Sequence, residues 1–291
     1  VKDAKLTPRM TETAKGLWLV YILLTLACLL SYHLAGMGWL DALIHAFSTM
    51  ALGGFSSYDA SLGHFDSVVL EAITMVFALL AAMNFASHFL FLRNRSFRVY
   101  LGDAEIRVFL SVVLASCLGV ALYLWAKDIY LDFPSALRYA AFNTISLATS
   151  LGYVNDDYNA WPYFAALWML FLGSFAACSG STGGGIKMMR AKLLYKQLHR
   201  ELIKLMHPNA QTPTKLGEHV VPNKIIYAVL AYFFIYVVSI VLFTLTLAAS
   251  GLDVFTSFTA VVATINNTGP GLGQVGPAAN YAVLNDFQTW V

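Results

Sequence analysis

The chain has 291 residues, of which 58% are hydrophobic and only 12% charged, and its formal net charge is +2. Soluble domains usually carry about 25% charged residues, so the composition excludes an ordinary soluble protein and predicts one embedded in a membrane. The three cysteines, Cys28, Cys117 and Cys178, are far apart in apolar segments, which predicts neither a disulfide framework nor a metal site.

The first predicted elements are a long apolar segment, a short one and another long one. Residues 1–15 are polar and basic, and residues 16–35 form an apolar stretch long enough to cross about 30 Å of hydrocarbon. Residues 41–50 are apolar over about half that length, which is typical of a re-entrant helix, and Asp41 stands where an N-cap is expected. Residues 67–92 are predicted to form the next span.

The same order begins again in the middle of the chain. Residues 106–126 are predicted to span the membrane, and Pro134 opens a short helix to residue 147, because proline is tolerated in a first helical turn. Residues 158–177 are apolar and rich in aromatic residues, so they are predicted to span as well. Residues 186–206 resume a helical pattern in which basic residues are interleaved.

The last third of the chain begins the order once more. Residues 207–223 carry three prolines and one glycine and are predicted to be a loop, residues 224–250 a span, and residues 253–265 a third short helix. The fold class is therefore an all-α polytopic membrane protein with five spans and three re-entrant helices. Non-helical backbone at membrane depth is tolerated only where protein buries it or it lines water, so the loops after the short helices should converge on one aqueous axis.

The distribution of basic residues predicts the orientation of the chain. Four Lys or Arg residues precede Gly16, four lie between residues 93 and 107, and eight lie between residues 187 and 224. Because cytosolic loops are enriched in Lys and Arg, these three groups are expected in the cytosol. The start of the chain is then cytosolic, its end is external, and the three glycine-containing loops lie toward the outside.

Three loops, one after each predicted short helix, share a pattern around a central glycine. Aligned on Gly54, Gly152 and Gly269, each has a small or hydroxyl residue six positions earlier and an aromatic residue or proline directly afterwards. We call them loop A (52–55), loop B (150–153) and loop C (267–270). Their residues are Leu52, Gly53, Gly54, Phe55, Ser150, Leu151, Gly152, Tyr153, Asn267, Thr268, Gly269 and Pro270.

The pattern of these loops predicts a filter for a cation. A dehydrated alkali cation must replace its water shell with oxygens, and a ring of backbone carbonyls supplies them without a fixed charge. Glycine can turn its carbonyl towards an axis at no steric cost, and the C-terminal ends of the short helices would aim the negative ends of their macrodipoles into the membrane. The alternative is that the three glycines form ordinary turns between helices.

A second motif is a glycine-rich run that we call the glycine-rich loop (residues 179–185). Its members are Ser179, Gly180, Ser181, Thr182, Gly183, Gly184 and Gly185. A phosphate-binding loop is not favoured, because Ile186 stands where that motif requires lysine and no predicted strand precedes the run. Four glycines in six residues, each costing about 1 kcal/mol in a helix, cannot remain regular helix.

Two interpretations of the glycine-rich loop stay open at this point. It is either the cap of a helix that ends at the cytosolic surface, or a break in the middle of an inner helix that lies below the filter. A helix from residue 158 to residue 177 would place the loop about 30 Å from the outer end. That depth does not separate the two interpretations.

The helix that follows carries a basic stretch, residues 187–204, with leucines between the charges. Such a stretch is typical of a helix end whose long side chains extend to the lipid headgroups, and it could also dock a cytosolic partner. A membrane-embedded enzyme built on Ser179 and His88 is the alternative from another functional class, although no neighbouring motif supports it.

These motifs resemble those of the Trk/Ktr superfamily of potassium uptake proteins, in particular its bacterial membrane subunits, along essentially the whole chain. The resemblance is carried by Ala46-Phe47-Ser48-Thr49, Gly53-Gly54-Phe55-Ser56, Thr149-Ser150-Leu151-Gly152-Tyr153, Asn266-Asn267-Thr268-Gly269-Pro270-Gly271 and Cys178-Ser179-Gly180-Ser181-Thr182-Gly183-Gly184-Gly185-Ile186-Lys187. It implies a pore-forming subunit with a pseudo-fourfold potassium-channel-like architecture in the bacterial inner membrane. The transported ligand would be K+, with no organic cofactor and no enzymatic activity.

The resemblance also implies roles and partners. The filter would consist of loops A, B and C with a fourth loop, and the glycine-rich loop together with Lys187 would be the intramembrane gate. The partners would be membrane lipid, a second copy of the chain and a cytosolic ring of nucleotide-binding, TrkA-like regulatory subunits, with no nucleic acid. A Ktr-like symporter stimulated by Na+ is the alternative within transport.

Set against that family, the chain divides into a cytosolic segment (1–15), a second pore repeat (16–98), a third pore repeat with a broken inner helix (99–206), a cytosolic loop (207–221) and a fourth repeat without its last helix (222–291). A first repeat and a final helix are expected beyond the two ends. Each loop keeps one central glycine and lacks the fuller filter signature of tetrameric potassium channels, which predicts softer selectivity for K+ over Na+.

Overall fold

The computed structural model describes residues 10–208, 212–216 and 219–291. The predicted cytosolic segment 1–15 and cytosolic loop 207–221 lie partly outside these described residues. In chain order the helices are α1 (Met10–Leu34), α2 (Trp39–Ala51), α3 (Val68–Ala82), α4 (Phe85–Asn94), α5 (Arg98–Gly102), α6 (Ala104–Ala126), α7 (Phe133–Ala148), α8 (Tyr163–Gly173), α9 (Met188–Met206), α10 (Asn223–Ala249), α11 (Val254–Ile265) and α12 (Asp286–Trp290). The strands β1 (Lys215–Leu216) and β2 (His219–Val220) pair antiparallel as a small hairpin between α9 and α10.

Among the described residues, α1, α6 and α10 are long and apolar enough to cross a membrane, and α3 with α4 makes a fourth candidate span that is bent by 97°. The predicted span 106–126 lies within α6, and the predicted span 16–35 lies within α1 except for its last residue. The predicted span 224–250 coincides with α10 to within one residue at each end. The all-helical membrane architecture is therefore confirmed, while two of the five predicted spans need correction.

The prediction of one continuous span over residues 67–92 is wrong, because the helix breaks between α3 and α4. Asn84 starts the new helix by accepting a hydrogen bond from the backbone N–H of Ala86 at 2.9 Å. On the other side of the break, the carbonyls of Ala81 and Ala82 accept hydrogen bonds from the N–H groups of Thr182 and Cys178. The glycine-rich region thus satisfies the backbone groups that the break exposes.

The prediction of a span over residues 158–177 is also wrong in length. The helix cannot include the residues before Pro162, because proline has no N–H to donate and its ring clashes with the preceding turn. Pro162 is instead the N-cap of α8, which has 11 residues. At 1.5 Å per residue α8 is about 16 Å long, which is about half the thickness of a hydrocarbon core of about 30 Å.

The three predicted short helices are α2, α7 and α11, which we call the half-helices. Asp132 and Asp253 cap α7 and α11 by accepting the N–H groups of Ser135 at 2.8 Å and Thr256 at 2.9 Å. The expected capping role of Asp41 is wrong, since the N-cap of α2 is Gly38 and Asp41 lies in the first turn. The hydroxyl and N–H of Thr256 hold the pKa of Asp253 below its usual value.

Each half-helix packs within a unit that we name after its loop. Unit A comprises α1, α2 and α3, unit B comprises α6, α7 and α8, and unit C comprises α10 and α11. In unit A the fully buried Tyr32 joins all three helices, because its hydroxyl forms hydrogen bonds of 2.8 Å with Thr49 and with Thr74. Contacts of α3 with α7 and of α8 with α11 then join the units in chain order.

A buried ion pair joins units A and B. Arg138 of α7 donates two hydrogen bonds of 2.8 Å to the carboxylate of Glu71 in the first turn of α3, and a third to Asp66. The Glu71 side chain is only 2% exposed. Removing one partner of such a pair leaves an uncompensated buried charge, which costs far more than losing a pair at the surface.

Substituting Arg138 with alanine is expected to destabilise the fold by about 3 kcal/mol or more, because the Glu71 carboxylate is left without a partner. The matched control is Lys204→Ala, which removes a cation paired with the half-exposed Glu201 at 3.4 Å and should cost about 0.5 kcal/mol or less. The measurement is thermal unfolding in detergent. Equal melting temperatures for the two variants would contradict a structural role for the Arg138 pair.

Candidate functional site

Loops A, B and C leave their half-helices with the same backbone geometry. The residue two positions before the central glycine adopts the left-handed conformation each time, with φ of 53° at Leu52, 62° at Ser150 and 56° at Asn267. The residue between it and the glycine donates its N–H to the carbonyl five positions earlier at 2.8 Å in all three loops. This is the Schellman arrangement, which normally places glycine at the left-handed position. The sequence match therefore reflects three copies of one local structure.

The central glycine also has a positive φ in every copy, with 68° at Gly54, 83° at Gly152 and 90° at Gly269. Two closely spaced left-handed residues reverse the chain sharply after each half-helix. A residue with a side chain rarely adopts that conformation, which explains why glycine is needed at this point in each loop.

The three loops lie side by side in chain order. A Cβ atom placed on Gly54 would overlap the carbonyl oxygen of Leu151, and one placed on Gly152 would overlap the carbonyl oxygen of Thr268. Leu151 and Thr268 occupy equivalent positions in loops B and C, so each loop meets the next in the same way. At Gly269 no described atom lies within 4 Å of the equivalent Cβ position. The structure thus brings loops A, B and C together, each beside the next in chain order.

Three of the backbone oxygens in or beside these loops are already occupied. The Tyr153 hydroxyl donates to the carbonyl of Phe55 at 3.1 Å, and the Ser146 hydroxyl donates to the carbonyl of Tyr153 at 2.6 Å. The Tyr281 hydroxyl donates to the carbonyl of Gly269 at 2.6 Å. Tyr153 thereby ties loop B to loop A, and the glycine carbonyl of loop C is engaged by a side chain that sequence reasoning did not select.

Other carbonyl oxygens of the loops accept no hydrogen bond within the described part of the chain. They belong to Leu52, Gly53, Gly54, Ser150, Leu151, Gly152, Asn267, Thr268 and Pro270. Several of these residues are nevertheless almost fully buried, with Leu52, Ser150 and Leu151 each 1% exposed. Because buried carbonyls normally have a hydrogen-bond partner, a group of oxygens of this kind is suited to hold a cation.

The glycine-rich loop lies against the C-terminal ends of the half-helices. The Thr182 hydroxyl donates to the carbonyl of Met50 in α2 at 3.1 Å, and the N–H of Gly184 donates to the Ser150 hydroxyl just after α7 at 2.7 Å. A Cβ atom on Gly184 would also overlap the carbonyl oxygen of Asn266, just after α11. Thr182 and Gly184 thus reach the ends of all three half-helices.

This position bears on the two interpretations of the glycine-rich loop. A helix cap would directly follow its helix, but α8 ends at Gly173, six residues before Ser179. At about 16 Å, α8 is about half as long as a hydrocarbon core is thick. The segment between α8 and α9 is therefore non-helical, and it lies against the C-terminal ends of the half-helices.

Lys187 points back into the glycine-rich loop. Its φ is 75°, which is unusual for a residue with a side chain. Its ammonium group donates to the Ser181 hydroxyl at 3.2 Å and to the carbonyl of Gly183. The lysine therefore adds a fixed positive charge to the underside of the loop and helps to hold its shape.

Sequence reasoning missed Glu105, Asn84 and Tyr281. Glu105 is 2% exposed and accepts hydrogen bonds from the loop, and the Asn84 side chain faces Gly180. The signal for Glu105 was available, because it is a carboxylate at the start of a span on the side predicted to be rich in Lys and Arg. Asn84 was visible only as a helix-starting residue within an apolar segment.

Comparison with known proteins bears on all 291 residues. The family model for TrkH, described as a cation transport protein, matches residues 1–291. The chain is 44% identical to the Trk system potassium uptake protein TrkH of Salmonella typhimurium, over 100% of this chain and 60% of that protein. It is 36% identical to the Trk system potassium uptake protein TrkG of Escherichia coli, over 98% of this chain and 58% of that protein.

The same relationship is seen at the level of structure. The crystal structure of the potassium transporter TrkH from Vibrio parahaemolyticus superposes with a TM-score of 0.93 at 40% identity, and the match covers 99% of this chain and 62% of that one. The chain spans about 60% of the length of the curated relatives it matches.

Proposed function

The chain belongs to the TrkH family of cation transport proteins, and on this premise we propose that it forms the pore of a bacterial potassium uptake system. K+ would pass down its electrochemical gradient through backbone carbonyls of loops A, B and C, with Rb+ passing comparably and Na+ less well. Membership of a cation transport family also points away from an enzyme.

The observation that carries this proposal is the repeated contact between neighbouring loops. The Gly54 backbone abuts loop B, and the Gly152 backbone abuts loop C in the same way. Such a repeat generates a ring, and a ring of carbonyls is what strips and replaces the water shell of an alkali cation. A fourth loop, expected from the first repeat, would complete the filter.

The arrangement of charges around the loops supports conduction from the outside. Asp132 and Asp253 cap the outer ends of α7 and α11, while the C-terminal ends of these helices point at the loops. A carboxylate at the mouth raises the local concentration of cations, and the negative end of each macrodipole lowers the energy of a cation inside the membrane.

The gate in this proposal is the glycine-rich loop with Lys187. The loop lies across the ends of the half-helices on the side away from the entrance, so an ion that leaves the filter would meet it next. Because the loop is not helical, it can change its conformation without unwinding a helix. Displacement of residues 180–185 would then open the path to the cytosol.

The proposed setting of the pore follows the resemblance. The chain would be a multi-pass protein of the bacterial inner membrane, with residues 1–15 in the cytosol and its end outside. The pore repeats would be residues 16–98, 99–206 and 222–291, joined by a cytosolic loop at 207–221. A second copy and a cytosolic ring of nucleotide-binding, TrkA-like subunits would complete the system, with the basic helix α9 as the docking element.

The test of this function is Rb+ uptake by K+-loaded liposomes that contain the complete protein. The expected result is uptake that K+ outside the liposomes suppresses and that Na+ neither drives nor stimulates. Uptake that requires Na+ would instead indicate a Ktr-like symporter. Protein-free liposomes are the control, and a rate no higher than theirs would refute transport altogether.

A further inference from the structure

One buried carboxylate holds the start of the glycine-rich loop and the first turn of α9. Oε1 of Glu105 accepts the N–H of Ser179, where the loop begins, at 2.7 Å, and the N–H of Met189, in the first turn of α9, at 2.9 Å. Glu105 lies in the first turn of α6, and only 2% of its surface is exposed. Two points that are ten residues apart in the chain are therefore attached to a single atom of another helix.

The helix after the loop depends on this contact. The first turn of any helix contains N–H groups without a partner in the helix. The N-cap residue of α9 is Lys187, which makes no side-chain capping bond, because its ammonium group is directed into the loop. Glu105 supplies the missing acceptor from a neighbouring helix, and a negative charge at this position is further stabilised by the positive end of the α9 macrodipole.

The loop entrance has other backbone contacts, one of them with α9, because Met188 donates its N–H to the carbonyl of Ala177 at 2.8 Å. Cys178 donates its N–H to the carbonyl of Ala82 at 2.9 Å, and Phe85 donates its N–H to the carbonyl of Gly180 at 3.1 Å. These backbone bonds attach the loop to the break between α3 and α4. Glu105 is thus the contact that links the loop entrance and the start of α9 to the same point on α6.

There is room beside Glu105 for the loop entrance to move. A cavity of about 640 Å³ adjoins Glu105 and would hold several side chains. Its walls include Asn84, Ser179, Met189, Arg190 and Lys224. When the two hydrogen bonds to Glu105 break, Ser179 and Met189 can therefore shift without displacing a packed core.

We propose that Glu105 is the positioning residue that keeps the glycine-rich loop closed, by pinning the loop entrance and α9 to α6. The proposal rests on the role of the loop as gate under the proposed function. Movement of α9 and opening of the loop are then a single event, because the N–H groups of Ser179 and Met189 must both leave the same carboxylate oxygen. A cytosolic partner that displaces α9 would open the pore by breaking these two bonds.

The test separates the reach of the side chain from its charge. Glu105→Asp keeps the charge but is one methylene too short to meet both N–H groups, whereas Glu105→Gln keeps the reach and an acceptor oxygen. We expect the Asp variant to raise Rb+ flux about tenfold in the absence of any partner, and the Gln variant to restore flux to within about threefold of wild type. A tenfold change corresponds to about 1.4 kcal/mol. Glu12→Gln, at an exposed position in α1, is the matched control for loss of a carboxylate.

A second readout does not depend on conduction. Hydrogen exchange of peptides that cover residues 176–190 should be faster in Glu105→Asp than in wild type, and close to wild type in Glu105→Gln. Unchanged exchange in the Asp variant, or equal effects of both variants, would overturn the proposal. If wild type conducts no Rb+, the proposed function fails, and the exchange data still decide whether Glu105 pins the loop.

Discussion

Replacing Gly152 with serine is expected to lower Rb+ uptake about tenfold or more and to reduce the preference for K+ over Na+. Gly152 has a φ of 83°, a conformation that costs a residue with a side chain about 1–2 kcal/mol. A Cβ atom at this position would also overlap the carbonyl oxygen of Thr268 in loop C. Both effects displace carbonyls that the account places around the ion, and 1.4 kcal/mol already corresponds to tenfold.

The control for this substitution is Gly36→Ser. Gly36 also has a positive φ, 106°, but no atom of the described residues lies within 4 Å of its Cβ position. The variant therefore carries the backbone strain of Gly152→Ser without a collision between loops, and its ion preference should match wild type. If Gly152→Ser kept the wild-type ratio of K+ to Na+ uptake, loop B could not be part of the filter.

Deleting residues 180–185 is expected to raise Rb+ flux about tenfold or more in the absence of a partner. The deletion removes Thr182 and Gly184, whose hydrogen bonds reach the ends of α2 and α7. Without residues 180–185, the glycine-rich loop no longer crosses the proposed path below loops A, B and C. Tenfold corresponds to a shift of about 1.4 kcal/mol in the balance of closed and open states, roughly one or two net hydrogen bonds.

Because a six-residue deletion can prevent folding, Thr182→Val provides a second variant. It keeps the shape of the side chain but removes the hydroxyl that donates to Met50 and Ala81, and it should raise flux by a smaller factor. Thr246→Val is the matched control, since the Thr246 hydroxyl donates to the carbonyl of Leu242 within α10 and, among the described residues, to no other group. Wild-type flux in both the deletion and the Thr182 variant would contradict the assignment of the gate.

The sequence predicted the positions of the half-helices closely, because their signals are local. Pro134 lies in the first turn of α7, and Asp253 caps α11, as the residue types indicate. The glycines of the three loops could also be matched, since a left-handed backbone restricts the residue type at that position. These features depend on the chain within a few residues of each position.

The features that the sequence did not reveal depend on contacts between distant segments. Nothing in the apolar run around Ala82 shows that its carbonyls are satisfied by Cys178 and Thr182, so a break appeared as a continuous span. The role of Glu105 likewise exists only because α6 lies beside residues 179 and 189. Hydropathy measures the apolar content of a segment, and it does not register a polar backbone that another segment satisfies.

Anomalous diffraction from crystals of the complete protein grown in Rb+ tests most directly whether loops A, B and C surround a cation. We expect an anomalous peak between the loops, at an Rb+ ion coordinated by carbonyl oxygens that include those of Leu151 and Thr268. The same experiment on Gly152→Ser should show that peak weakened or lost. Rb+ density elsewhere in the molecule, with none between the loops of a conducting protein, would contradict the account.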